Sequence, residues 1–115
     1  MEFYLEEIGD APQAVFTGAD QPLNVLLGRF LNPAPYFVPD ILYEVSLVER
    51  QVVESSGFES EYVDVQVFHD RVEIKARPKA LAEGAAEGFV LPLTEVKLLL
   101  MEWGAALERW RSGRM

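Results

Sequence analysis

His69 is the only histidine in the chain, and it stands next to Asp70 in the stretch EYVDVQVFHDRVEIKARP. A histidine that acts as a general base needs a nucleophile or an acid brought to it by other elements of the fold. Asp70 does not meet this need, because neighbouring residues of an extended chain point to opposite faces. Apolar and polar residues alternate on both sides of the pair, which predicts a β-hairpin with His69 in its polar connection. We therefore expect a solvent-exposed turn histidine and assign no catalytic residue.

Metal and cofactor chemistry has little support in the residue types. The chain has one histidine and no cysteine, which excludes disulfides and does not suffice for a typical transition-metal site. The stretch DQPLNVLLGRF lacks the alternating oxygen ligands of a calcium loop, and the glycine-rich phosphate loops are absent. Paired carboxylates at Glu6 and Glu7, and at Glu59 and Glu61, are the residue type that glycosidases use, but exposed strands and turns explain them more simply. The sequence thus predicts no metal, no cofactor and no enzymatic activity.

Charge is unevenly distributed along the chain, whose formal net charge is −9. Residues 1–70 contain 13 acids and two bases, whereas residues 71–115 contain six acids and eight bases. An acidic surface repels nucleic acids and anionic membranes and attracts basic proteins. General solubility is the simpler explanation of this charge, and a basic protein partner is the more specific one. The lack of cysteine, of a long apolar run and of a basic N-terminal start predicts a cytoplasmic protein without a membrane segment.

A proline-rich connector, NPAPYFVPD, presents Tyr36 and Phe37 between fixed backbone positions. Rigid aromatic residues beside charge are common in protein interfaces. We therefore predict a partner-binding site that combines these two aromatic residues with the acids Glu59, Glu61 and Asp64, which lie at or near the start of the hairpin. The alternative is that Tyr36 and Phe37 fill the core beneath the connector, or that a ligand pocket lies there.

The pattern of the whole chain predicts one α+β domain, residues 1–115, with a single antiparallel sheet of about five strands packed by two or three helices. Gly57 is expected to end the second helix, and the alanine-rich stretch after Pro78 is expected to be a loop. The predicted strands are residues 2–8, 14–17, 62–68, 71–77 and 88–91, and the predicted helices are residues 21–31, 40–56 and 94–111.

The most strongly amphipathic segment is the last helix, whose apolar residues follow helical spacing. We expect Trp103 and Leu100 to be core residues of this helix, because large aromatic side chains on an apolar stripe usually pack inward. The predicted contacts on the sheet are Val65, Val67 or Ile74.

The segments YVDVQVFHDRVEIKA and GFVLPLTEVKLLLMEWGAALERW place a polar-tipped hairpin, a short strand and a helix that opens L-T-x-V one after another. In this order of elements the chain resembles small bacterial immunity proteins, which neutralise the toxins of polymorphic or contact-dependent inhibition systems. The resemblance implies a sheet packed by helices and a non-enzymatic cytoplasmic inhibitor that occludes a toxin. The acidic N-terminal half agrees with a basic toxin domain as partner. A small ligand-binding domain or a carboxylate-based enzyme is the alternative.

Overall fold

The computed structural model describes residues 2–32 and 38–113. Tyr36 and Phe37, two of the predicted partner-binding residues, lie outside the described residues. The elements follow one another as β1 (Phe3–Ile8), β2 (Ala11–Phe16), α1 (Gln21–Leu31), α2 (Val38–Glu49), β3 (Ser55–Glu59), β4 (Val63–Phe68), β5 (Arg71–Ala76), α3 (Pro78–Ala82), β6 (Gly88–Pro92) and α4 (Leu93–Gly113).

The predicted α+β class is confirmed, but the prediction of a single sheet of about five strands is wrong. Strands β1 and β2 form a two-stranded antiparallel sheet, and β3, β4, β5 and β6 form a separate four-stranded antiparallel sheet in that order. The described residues form four helices, not two or three. Alternation of apolar and polar residues identifies a strand but not its partner. A connection of only two residues, Gly9 and Asp10, joins the first two strands, which pair with each other and with no other described strand.

The connection between β1 and β2 explains why the second strand is longer than predicted. Gly9 has a positive φ of 66°, whereas the φ of Asp10 is not positive. This combination is the pattern of a type II′ hairpin turn. The turn therefore needs only these two residues, and Ala11 pairs directly with Ile8. Pro12 belongs to the strand as well, outside the predicted range of residues 14–17, because a proline is tolerated on an edge strand.

The second helix ends seven residues earlier than predicted, at Glu49. Gln51 adopts a left-handed φ of 59°. Its N–H donates to the carbonyl of Val48 at 3.0 Å, and the N–H of Val52 donates to the carbonyl of Leu47 at 2.9 Å. This pair of hydrogen bonds is the Schellman arrangement that terminates a helix. Val52, which falls within the predicted helix of residues 40–56, is consequently outside the helix and 63% exposed.

Strand β3 occupies residues that we assigned to the end of this helix and its cap. Gly57 is not a helix cap, because it lies in β3 opposite Gln66 of β4. The side chain of Gln66 lies over it, where a Cβ atom would approach the amide nitrogen to 2.5 Å. The short helix α3 was also missed, since we expected a loop there. Pro78 at its first position and the following alanines favour a helical turn, and Ala80 is fully buried.

Helices α1 and α4 lie between the two sheets. Helix α1 contacts β2 and β4, and α4 contacts β2, β5 and β6. One face of the four-stranded sheet is covered by this helical layer, so that the apolar side chains on it are removed from water. The buried residues of β4 and β5 are Val63, Val65, Val67, Val72 and Ile74.

The burial predicted for Trp103 and Leu100 is confirmed, since both have no exposed surface. The ring of Trp103 meets Phe3 of β1 edge-on, with 6.0 Å between the ring centroids. Phe3 in turn packs on Phe16 of β2, with 5.2 Å between centroids. The last helix therefore anchors the N-terminal hairpin as well as the four-stranded sheet.

Candidate protein-binding surface

The face of the four-stranded sheet that points away from the helices has no covering element among the described residues. We call it the open sheet face. Its side chains are mainly polar, which is usual for an antiparallel sheet with one face in water. Val90, 54% exposed, is an apolar residue on this face. Two rows cross the strands, one with Gly57, Gln66, Glu73 and Val90, and one with Glu59, Asp64, Lys75 and Gly88.

The structure brings the three predicted acids to one end of the sheet. Glu59 and Asp64 lie opposite each other in β3 and β4, and Glu61 lies in the connection between these strands. Each acid has a base nearby. A carboxylate oxygen of Glu59 is 3.6 Å from Arg77 Nη1, and one of Glu61 is 2.7 Å from Lys79 Nζ. Asp64 faces Lys75 across the sheet. The charge at this end is therefore largely balanced within the chain.

The Glu61–Lys79 pair changes the acidity of both groups. The hydrogen bond from Lys79, and then its positive charge, lower the pKa of the Glu61 carboxyl below its ordinary value. The same contact raises the pKa of Lys79. The Lys79 ammonium also lies 5.0 Å from the centroid of the Tyr62 ring, and Arg29 lies 4.3 Å from that centroid. Tyr62 thus links the hairpin start to α1 and α3 through two cation–π contacts.

His69 is exposed at the tip of the β4–β5 hairpin, as predicted. The neighbouring Asp70 carboxylate binds another residue, since its Oδ1 accepts a hydrogen bond from Arg71 Nη1 at 3.0 Å. Arg71 also donates to Glu73 at 2.9 Å and stacks over the ring of Phe68 at 4.3 Å. The hydrogen bond to Glu73, and to a lesser extent the contact with Asp70, raise the pKa of Arg71.

A cleft of about 470 Å³ lies beside His69, between the hairpin tip and the end of α2. Glu54 is the acid in this cleft, and Gln51, with its left-handed backbone, also lines it. The remaining lining is apolar, from Val48 and Val53. Across residues 2–32 and 38–113, no three histidine, aspartate or glutamate side chains converge in a way that could hold a metal ion.

A second concentration of acids lies on the hairpin of β1 and β2, which we call the acidic hairpin. It carries Glu2 at its start, Glu6 and Glu7 in β1 and Asp10 in the turn, and no base precedes Arg29 in the sequence. Within the part of the chain that the structure describes, Glu2, Glu6 and Asp10 take part in no ion pair.

Sequence reasoning did not single out this hairpin as a site. Tyr4 and Ile8 are 52% and 50% exposed, and they share the outer face of the hairpin with Glu6. Exposed apolar side chains that alternate with acids are suited to a protein contact. The lack of any base before Arg29, together with the alternation of Tyr4, Glu6 and Ile8, was the available signal.

No helix in the described ranges is both long enough and apolar enough to cross a membrane. Comparisons with models of protein families, with curated proteins and with solved structures found no match to this chain.

Proposed function

We propose that this chain is a non-enzymatic acidic binding protein that neutralises a basic protein partner by occluding it, as immunity proteins do with their toxins. The observation that carries the proposal is the acidic hairpin, where Glu2, Glu6 and Asp10 take part in no ion pair with a described residue. Uncompensated charge on one side of a small protein steers a partner of opposite charge toward that side. The partner is expected to be a basic toxin domain that meets this chain in the cytoplasm.

The contact is expected to combine long-range attraction with close packing. Acids of the hairpin attract Lys and Arg side chains and imitate the charge of a toxin's anionic substrate. Tyr4 and Ile8, each about half exposed, supply apolar contact between these acids. The second contact region is the end of the open sheet face with Glu59, Glu61 and Asp64. Tyr36 and Phe37, outside the described residues, stay predicted partner-binding residues.

The alternative of a carboxylate-based enzyme makes a different demand on the acids. A carboxylic acid that donates a proton at neutral pH needs a raised pKa. Glu61, one of the paired carboxylates considered for such chemistry, has a lowered pKa instead, because Lys79 stabilises its charged form. This shift favours a role of Glu61 as a fixed negative charge.

The test is formation of a complex with the product of the gene adjacent to the gene for this chain. Both proteins are produced together and purified through a tag on the partner, and growth of the producing cells is followed with and without this chain. We expect an equimolar complex and restored growth, and we expect His69→Ala to leave both unchanged. A partner that neither binds this chain nor loses toxicity would rule out the proposal. Loss of inhibition in His69→Ala would indicate chemistry at the hairpin tip.

A further inference from the structure

Strand β1 has one paired edge and one free edge. The N–H of Thr17 donates to the carbonyl of Glu2 at 3.1 Å, so these two residues form a hydrogen-bonded pair of the antiparallel ladder. Hydrogen-bonded and non-hydrogen-bonded pairs alternate along such a ladder. The backbone N–H and C=O groups of Phe3 and Leu5 therefore point away from β2. Among the described strands, none pairs with this edge.

The opposite edge of the same hairpin, on β2, is closed by two features. The N–H of Ala14 donates to Asn32 Oδ1 at 2.6 Å, which joins the edge to the end of α1. Pro12 has no N–H to offer a further strand. Proteins commonly protect exposed strand edges in these ways, to prevent unwanted pairing. On the edge of β1, Phe3 and Leu5 have neither feature: neither is a proline, and no side chain of the described residues hydrogen-bonds to their backbone.

A groove of about 910 Å³ runs along the free edge of β1, between this strand and α4. Tyr4 lines it together with its neighbours Phe3 and Leu5, although these neighbours point to the other face of the strand. Lining by residues of both faces is expected for a groove that follows the edge of the strand. The wall on α4 consists of Glu102, Ala105, Ala106, Arg109 and Trp110.

The dimensions of the groove suit an extended chain. The lining residues 2–5 span about 13 Å, and the α4 wall from Glu102 to Trp110 spans about 12 Å. Ala105 and Ala106 are small, so a backbone can approach the helix closely. The groove therefore has room for about four residues of an added strand beside β1.

Charge and side-chain alternation determine what kind of strand fits. The wall on α4 carries one charge of each sign, Glu102 and Arg109, so the acids beside β1 set the net charge of the groove. Glu2 and Glu6 share the outer face of β1 with Tyr4, whereas Phe3 and Leu5 lie on the inner face. Side chains of an added strand would lie beside these rows, so basic residues suit its outer face and apolar residues its inner face. A second copy of this chain is a poor occupant, because its own β1 would bring the same acids against these acids.

We propose that β1 accepts an extended basic segment of the partner as an added strand, with alternating basic and apolar side chains, in the groove against α4. This inference rests on the proposed function and names the mode of binding. Backbone hydrogen bonds to Phe3 and Leu5 hold the segment, and the acids of β1 select its basic side chains.

The first test uses a fluorescein-labelled peptide of seven residues with the sequence Lys-Val-Lys-Val-Lys-Val-Lys, and measures its binding by fluorescence anisotropy. Two further peptides carry N-methyl groups on the lysines or on the valines. Only one alternating set of N–H groups faces β1, so we expect one N-methylated peptide to bind about tenfold or more weakly and the other to bind nearly as well as the parent. Equal weakening by both, or no binding of the parent peptide, would overturn strand addition.

The second test alters the protein. The double variant Glu2→Lys with Glu6→Lys should weaken binding of the parent peptide. The control double variant, Glu87→Lys with Glu95→Lys, changes the net charge by the same amount at exposed positions outside the groove. The control should therefore have a much smaller effect on binding. Ala105→Trp should fill the groove and abolish binding, with an unchanged far-ultraviolet circular dichroism spectrum as the check on folding. Equal effects of the two charge variants, or normal binding by Ala105→Trp, would contradict the proposed site.

Parallel measurements with the product of the adjacent gene separate this inference from the proposed function. If that protein binds and Ala105→Trp does not affect the complex, strand addition is wrong and the binding function stands. If that protein does not bind while the peptide does, the groove assignment stands and the proposed toxin partner is wrong. Light scattering supplies one further outcome, since self-association through β1 would overturn the choice of a basic segment as occupant.

Discussion

Glu61, a predicted contact residue, forms an ion pair within its own chain. Its carboxylate lies 2.7 Å from Lys79 Nζ, and this contact lowers its pKa. A lowered folded-state pKa means that the ion pair contributes stability above the ordinary glutamate value of 4.5. That contribution is lost as the pH falls through the lower folded-state value. Both side chains are exposed, so the contribution is strongly screened by solvent and salt.

This pair gives a prediction for an acid titration followed by nuclear magnetic resonance at the Glu61 carboxyl carbon. We expect the midpoint of Glu61 to lie below that of an ordinary glutamate in the wild-type protein and to rise in Lys79→Met. Lys75→Met removes an equal charge that Glu61 does not contact, and it should leave the midpoint nearly unchanged. Identical midpoints in the wild type and in Lys79→Met would show that the pair does not form in solution.

Gln51 holds a backbone conformation that a side chain disfavours, with a φ of 59°. The left-handed region costs a residue with a Cβ atom roughly 1–2 kcal/mol, and glycine avoids this cost but loses more chain entropy on folding. We expect Gln51→Gly to stabilise the protein by about 0.5–1 kcal/mol in urea unfolding. Gln51→Ala keeps the Cβ atom and should give no such gain. Destabilisation by glycine at this position would contradict the helix termination described for α2.

Trp103 is the largest fully buried side chain and joins two layers of the fold. Trp103→Ala should destabilise the protein by about 3–5 kcal/mol, because it leaves a large cavity beneath Phe3 and the helices. Trp103→Phe should cost much less, since a ring is kept and the indole Nε1, which has no hydrogen-bond partner among the described residues, is removed. Equal melting temperatures for the wild type and Trp103→Ala would be incompatible with this packing.

At the scale of elements, the sequence predicted those whose periodicity is strong and local. Helix α1 was predicted at its observed bounds, residues 21–31, and α4 to within one or two residues at each end. Strands β4 and β5 were predicted equally well, because their buried valines alternate with polar residues. These patterns depend only on which face of each element meets the core.

The elements that were wrong or missed depend on contacts that the local pattern does not contain. Strand β3 begins Ser55-Ser56-Gly57, a run of low strand propensity, and it is a strand because it pairs with β4. The end of α2 depends on Gln51 adopting a conformation usually taken by glycine or asparagine. The division into two sheets depends on which strands meet, and periodicity carries no information on that.

The candidate site was predictable to a similar degree. Glu59, Glu61 and Asp64 do meet at one end of the sheet, because they surround one strand connection. Their neutralisation by Arg77 and Lys79 was not predictable, since these bases come from beyond the β4–β5 hairpin, 18 residues away in each case. The acidic hairpin was missed because its charges were counted with the whole N-terminal half and not with one element.

At the scale of the whole molecule, acids in the middle of the sequence form ion pairs with bases of the C-terminal part, whereas three acids of the acidic hairpin form none with a described residue. Bases of the C-terminal part pair with acids such as Glu59, Glu61 and Glu49. On the acidic hairpin, Glu2, Glu6 and Asp10 take part in no ion pair with a described residue. A basic partner that approaches this molecule should therefore be steered toward the hairpin first.

The measurement that tests this account most directly is the association rate with the product of the adjacent gene, followed by stopped flow across a salt series. Two triple variants are compared, because they change the net charge by the same amount. One carries Glu2→Lys, Glu6→Lys and Asp10→Lys, and the other carries Glu59→Lys, Glu61→Lys and Asp64→Lys.

We expect the wild-type association rate to fall steeply as salt is raised. Both triple variants should associate slowly at low salt and approach the wild-type rate at high salt. The hairpin variant should be the slower of the two, because Glu2, Glu6 and Asp10 take part in no ion pair with a described residue. A wild-type rate that does not depend on salt, or a hairpin variant that associates as fast as the wild type, would contradict the claim that this chain binds a basic partner through its acidic hairpin.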